Sequence, residues 1–111
     1  MKLENSKAQM RKGVLEYCIL TILSKHDAYA SDIIKEMKEA RLIVVEGTLY
    51  PLLTRLKNAG LSAYRWEESS QGPPRKYYKL TEEGNKFLKG LDDSWKEINE
   101  SIEFIKQKHK S

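Results

Sequence analysis

The spacing of apolar positions divides the chain into segments. Between Met10 and Lys25, Val14, Leu15, Cys18, Ile19, Ile22 and Leu23 recur at helical intervals and predict a first helix with one broad apolar stripe. Ser31 to Glu39 reads as a second helix, with Ser31 as N-cap and Ile33, Ile34 and Met37 turned inward. The β-branched Ile43, Val44 and Val45 of "RLIVVEG" predict a very short strand or a tight connection. "TLYPLLTRLKNAG" predicts a third helix, capped by Thr48 or the residues just before it, with Leu49, Leu52, Leu53 and Leu56 inward. Pro51 is placed near its first turn, where amide protons lack intrahelical partners, and Gly60 is its stop. "LSAYRWEE" and "RKYYKL" then predict two short strands around the tip "SSQGPP", where Gly72 serves the turn. In the second strand Lys76, Tyr78 and Leu80 share one face, and Arg75, Tyr77 and Lys79 the other.

Thr81 is the expected N-cap of a long last helix, with Glu82 and Glu83 in the first turn, where the helix dipole favours negative charge. Its apolar positions are Leu88, Leu91, Trp95, Ile98, Ile102 and Ile105, in alternating steps of three and four. That is a heptad seam, narrower than the stripe of a helix lying on a globular core, widened by Phe87 and Phe104 at its ends. With no partner, this seam would face water, and a second copy of the chain is the simplest cover. The fold class expected is mainly α with a small β-hairpin: a winged helix-turn-helix over residues 1–80 and a C-terminal dimerisation helix over 81–111, forming one compact unit. The third helix is then the recognition helix and the hairpin the wing.

Composition narrows the classes. The 111 residues are 40% hydrophobic and 32% charged, which fits one folded domain with a modest core. The absence of an apolar run near the roughly 20 residues of a membrane span, and of a signal-peptide core behind the polar N-terminus, predicts a cytoplasmic protein with no membrane partner. Residues 1–80 carry 14 Lys/Arg against 9 Asp/Glu, whereas residues 81–111 carry 6 against 7. The positive excess therefore lies in the winged part, as a nucleic-acid surface requires; a solvated mixed-charge surface reads the same way. Cys18 is expected to be a buried thiol. His26 and His109 lack partners at ligand spacing, so no metal and no cofactor are expected. No nucleophile–base pair, phosphate loop or carboxylate pair points to an enzyme.

"GTLYPLLTRLKNAGL" followed by "GPPRKYYKLTEEG", with "GVLEYCILTIL" before them, resembles the PadR family of bacterial transcriptional regulators over about residues 10 to 105. The chain departs from the family pattern at Tyr29-Ala30, where Tyr-Gly is usual, and at Pro73 and Pro74, where the wing often carries an extra basic residue. The resemblance implies a homodimeric repressor that binds an inverted repeat in double-stranded DNA and pairs through its last helix, often with help from the first. The single C-terminal helix places it with the short subgroup, and "DDSWKEINESIEFI" resembles the multidrug-sensing regulators. There a tryptophan at the position of Trp95 faces its symmetry mate across a central pore and takes flat aromatic or cationic effectors.

Thr48, Tyr50, Thr54, Arg55 and Lys57 are the expected DNA contacts of the recognition helix, against the alternative of an ordinary polar helix face; Tyr50 can equally pack on the wing. Arg75 and Lys76 are expected on phosphates. Trp95 is either seam core or a ligand platform. Asp92 and Asp93, one turn before it, either solvate the helix or supply charge for a cationic ligand. A reading of another class is a winged-helix protein-interaction module whose last helix pairs with a different protein, with no effector.

Overall fold

The computed structural model describes residues 1–108, and His109 lies outside them. The order is α1 (Leu3–Lys12), α2 (Leu15–Lys25), β1 (Ala28–Tyr29), α3 (Ala30–Glu39), α4 (Glu46–Asn58), β2 (Ser62–Ser69), β3 (Gly72–Leu80) and α5 (Glu82–Lys108). This is the expected architecture of helices, hairpin and long last helix, with several local corrections.

The first expected helix is two helices. The break falls at Gly13 and Val14, where Val14 N–H turns back to Arg11 O at 3.0 Å. Glycine is a poor helix former and marks the joint. α1 buries no residue, so no apolar period announced it. On α2 the buried residues are Leu15, Ile19, Leu20 and Leu23.

β1 hands directly into α3. Tyr29, not Ser31, is the N-cap, and its N–H donates to Asp32 Oδ2 at 3.0 Å. α3 ends with Arg41 at φ 64°, Arg41 N–H on Lys38 O and Leu42 N–H on Met37 O at 2.7 Å. This is the helix-closing pattern that normally uses glycine in the left-handed position. Residues 42–45 are a connection and not a strand: Val44 is buried, while Ile43 and Val45 are exposed. The third strand of the sheet is β1 instead, paired to β3 at Ala28↔Tyr78 and Tyr29↔Tyr77.

α4 begins at Glu46 after Val45, so Thr48 lies inside the helix and does not cap it. Pro51 consequently falls beyond the first turn. It has no amide proton for the Gly47 carbonyl, which lies at an exposed residue where water can satisfy it. Gly60 (φ 79°) closes α4, with Leu61 N–H on Leu56 O and Gly60 N–H on Lys57 O, both at 3.0 Å.

The sheet order is β1-β3-β2, antiparallel throughout. The hairpin turns at Ser70–Gln71, so Gly72, Pro73 and Pro74 belong to β3 and not to the tip. The register slips between Glu67↔Arg75 and Ser69↔Gly72, which gives β3 one extra residue beside the two prolines. An irregularity in the ladder is where a strand tolerates proline.

Thr81 caps α5 as expected. Its Oγ1 accepts Gly84 N–H at 2.9 Å and donates to Gly60 O at 2.7 Å, while its N–H reaches Leu61 O at 3.2 Å. These bonds seat the root of α5 on the α4–β2 junction. The core beneath is centred on Ile19, Leu20, Ile33, Met37, Leu49 and Leu53. Tyr78 closes it from the sheet and Leu88 from α5. No helix of the described residues is long and apolar enough to cross a membrane.

Candidate nucleic-acid interface

α4 presents three faces, fixed by its 3.6-residue repeat. Leu49, Leu53 and Leu56 are buried and hold the helix to the core. Tyr50 and Lys57 lie on the flank toward the wing, and Thr54 beside them on the outer face. Thr48 and Arg55 lie on the opposite flank. Their surroundings agree: Thr54, Lys57 and Lys76 line one cleft between α4 and β3, and Tyr50, Arg75 and Lys76 line the adjoining groove. Thr48 instead borders a groove with Arg11 and Lys12 of α1. Arg55 Nε lies 3.4 Å from Glu16 Oε2 on α2. Five of the seven expected contacts thus form one surface, and two turn away from it.

The cations of this surface are held by aromatic faces. Lys76 Nζ lies 4.6 Å from the Tyr64 ring centroid and 5.5 Å from that of Trp66; Lys57 Nζ lies 5.8 Å from Tyr64. Arg75 Cζ lies 3.9 Å over Tyr29. Such contacts order long side chains without neutralising their charge. Tyr64 and Trp66 are alternate positions of β2 and Tyr29 comes from β1; Tyr64 is also paired with Tyr78 of β3 across the ladder, their centroids 5.7 Å apart. Burial and the neighbouring Tyr50 and Tyr64 hold the Tyr78 hydroxyl above its ordinary pKa, so it stays neutral in the core.

Tyr29, Ser31, Glu46 and Trp66 also line the groove with Tyr50 and are not among the expected contacts. Trp66 had a visible signal, as an aromatic residue at the exposed end of a basic hairpin. Ser31 carries no sequence signal beyond that of a helix cap.

The seam of α5 divides in two. Leu88 is 6% exposed and belongs to the chain's own core, which corrects its place on a free face; Leu91 packs partly against that core. From Trp95 onward the seam is open: Trp95 45%, Ile98 53%, Ile102 45% and Ile105 58% exposed. Beside it Tyr17 of α2 donates to Asp92 Oδ1 at 2.5 Å, and its ring sits 6.2 Å from the Trp95 indole at 49°. That hydrogen bond, first, and then burial push the Tyr17 pKa up to about 12. Asp92 and Asp93 are both exposed, and of the two it is Asp92 that has this partner within the chain. Cys18, half-buried, has its thiol pKa raised by burial, which keeps it protonated and unreactive. His26 pairs with Glu36, and among the described residues no three His, Cys, Asp or Glu gather as a metal site would need.

A family profile described as "Transcriptional regulator PadR-like family" matches residues 19–90. A solved PadR-like transcription factor from Bacteroides fragilis is 68% identical, with a TM-score of 0.79 over 91% of this chain and 98% of that one. A PadR family transcriptional regulator from Eggerthella lenta superposes with a TM-score of 0.87 at 28% identity, over 93% and 90% of the two chains. A PadR-like transcriptional regulator from Bacillus cereus is 38% identical, with a TM-score of 0.76 over 89% and 97%.

Proposed function

The chain belongs to the PadR-like family of transcriptional regulators, and we propose that it acts as a homodimeric repressor on an inverted-repeat operator. The family is one of DNA-binding regulators and not of enzymes. Each copy offers DNA the surface of Tyr50, Thr54, Lys57, Arg75 and Lys76, with α4 in the major groove and the wing along the backbone. A cytoplasmic location goes with this role.

The observation that carries the dimer is the uncovered apolar run of α5. Trp95, Ile98, Ile102 and Ile105 follow one another at heptad spacing, and with only the described residues around them each stays about half exposed. A second copy burying the same run supplies the two-fold axis that a palindrome demands. The test is selection of duplexes from a random library, with light scattering on the free protein. Dimers that select inverted repeats, with half-sites about one helical turn apart, support the reading. A monomer with weak, unselective DNA binding would favour the interaction-module alternative.

Within the dimer, Trp95 is the proposed effector platform for a planar aromatic or cationic molecule. The half-exposed indole beside Tyr17 supports this, with Asp93 rather than the engaged Asp92 as the carboxylate free to meet a cation. Such a ligand releases DNA only by preferring the wing spacing that does not fit the operator. Tryptophan fluorescence of wild type and Trp95→Ala during titration with such compounds tests it, Trp66 being the internal control. Saturable quenching that disappears in the variant is the expected result, and quenching indifferent to Trp95 refutes it.

A further inference from the structure

We propose that Tyr29 is a positioning residue for DNA binding: its ring holds the Arg75 guanidinium in place as a ready-made phosphate contact. The inference rests on the reading of the wing as a DNA-contacting element.

Four side chains form a ladder across one face of the sheet. Arg75 Cζ lies 3.9 Å over the Tyr29 ring; the Tyr29 and Tyr77 centroids are 4.7 Å apart; Arg65 Cζ lies 4.7 Å over the Tyr77 ring. The pairing Tyr29↔Tyr77 in the β1–β3 ladder sets this arrangement. Its two cationic ends differ. Arg65 is charge-paired, to Glu67 through Nε and to Asp27 at 3.6 Å. Arg75 has no carboxylate within 4 Å among the described residues. Glu67 is the cross-strand neighbour of Arg75, but its carboxylate goes to Arg65. The acid best placed to neutralise Arg75 is thus diverted. Arg75 Nη1 also reaches Ser31 Oγ at 3.5 Å, and the groove beside it carries Tyr50 and Lys76 of the proposed DNA surface.

An exposed arginine normally loses rotamer freedom when it grips a phosphate. Stacked on Tyr29, Arg75 has already been ordered, and one face of its guanidinium is covered while its edge donors stay available. The arrangement keeps the charge and removes the ordering cost, which is what a preorganised contact needs.

The test uses a fluorescein-labelled 30-base-pair duplex of arbitrary sequence, since phosphate contacts are sequence-independent, with anisotropy read over a salt series. Wild type, Tyr29→Phe, Tyr29→Leu, Arg75→Ala and the Leu/Ala double variant are compared, with melting curves to check folding. From a slope of about 0.9 per phosphate, Arg75→Ala is expected to weaken binding about eightfold at 0.1 M salt for each wing engaged, with the slope falling by about 1. Tyr29→Phe keeps the ring and binds as wild type. Tyr29→Leu is expected to weaken binding at least ~3-fold when Arg75 is present and to add nothing when it is absent, the signature of a coupled pair. Ring-current upfield shifts of the Arg75 side-chain protons in the free protein are expected in wild type and Tyr29→Phe, and lost in Tyr29→Leu.

Equal losses from Tyr29→Leu with and without Arg75, or no loss at all, overturn the proposal while leaving Arg75 as a contact. An Arg75→Ala variant with unchanged affinity and slope overturns the wing contact itself, and with it this inference. If Tyr29→Leu fails to fold, random-coil shifts for Arg75 in wild type are the overturning result.

Discussion

Gly84→Ala adds one methyl group where the root of α5 meets the α4–β2 junction. The added Cβ would lie 2.0 Å from Leu61 O and 2.7 Å from Leu80 Cδ1, where ordinary contact begins at 3.4 Å. Helix and carbonyl must therefore separate by about 1.4 Å, which breaks the 3.2 Å bond from Thr81 N–H to that same oxygen. The lost bond costs about 1 kcal/mol and the overpacking about 1–3 kcal/mol. Alanine's better helix propensity returns up to ~1 kcal/mol, less in a first turn. The net expectation is about 1–4 kcal/mol of destabilisation, or roughly 4–16 °C at about 4 °C per kcal/mol. Gly90 supplies the control. It lies in the same helix with nothing within 4 Å of the added atom, so Gly90→Ala is expected to raise stability by up to ~1 kcal/mol. Circular-dichroism melts at one protein concentration compare the two, because dimerisation makes the midpoint concentration-dependent. Opposite signs are the result expected. A Gly84→Ala protein that melts with wild type, or above it, refutes the close approach as the reason for this glycine.

Arg41→Gly is expected to stabilise by roughly 0.5–1 kcal/mol in chemical denaturation, because glycine adopts φ 64° without the penalty of about 1–2 kcal/mol borne by arginine and gives back part as chain entropy. Ser62→Ala removes a buried hydroxyl that has no hydrogen-bond partner among the described residues, so it is expected to be stabilising by about 1 kcal/mol, and a loss would reveal a partner for that oxygen. His26 has its pKa held above the usual 6.5 by the Asp27 carbonyl first and Glu36 next. A raised pKa means the contribution is complete below 6.5 and fades as pH rises through the folded value, so His26→Gln should lower the melting temperature more near pH 6 than above pH 8. Ile98→Asp places a charge in the middle of the open α5 run and is expected to give monomers by sedimentation while the melt of the winged part persists.

The elements with a dense apolar period were legible in the sequence. α2, α3 and α4 announced themselves through their leucines and isoleucines, and Thr81 and Gly60 marked their helix ends by local chemistry that needs no distant partner. α1 was not legible because it buries nothing. β1 was not legible because two residues become a strand only when β3 offers its edge, fifty residues away in the chain. The heptad seam of α5 was visible in full, but not that Leu88 is spent on the chain's own core. For the proposed DNA surface, motif and charge singled out α4 and the hairpin, and the fold brings the two together. The division of α4 into a wing-facing flank and one facing α1 and α2 depends on how Leu49, Leu53 and Leu56 seat the helix. Two distant links, Arg75 on Tyr29 and Tyr17 on Asp92, join residues with no sequence relation and arise only from packing.

The most direct test of the account is the molar mass, by light scattering, of the protein bound to a duplex selected from a random library. Two chains of 12.9 kDa per inverted repeat, in wild type and not in Ile98→Asp, is the result the account requires. One chain per site, or binding by Ile98→Asp as tight as that of wild type, would contradict it.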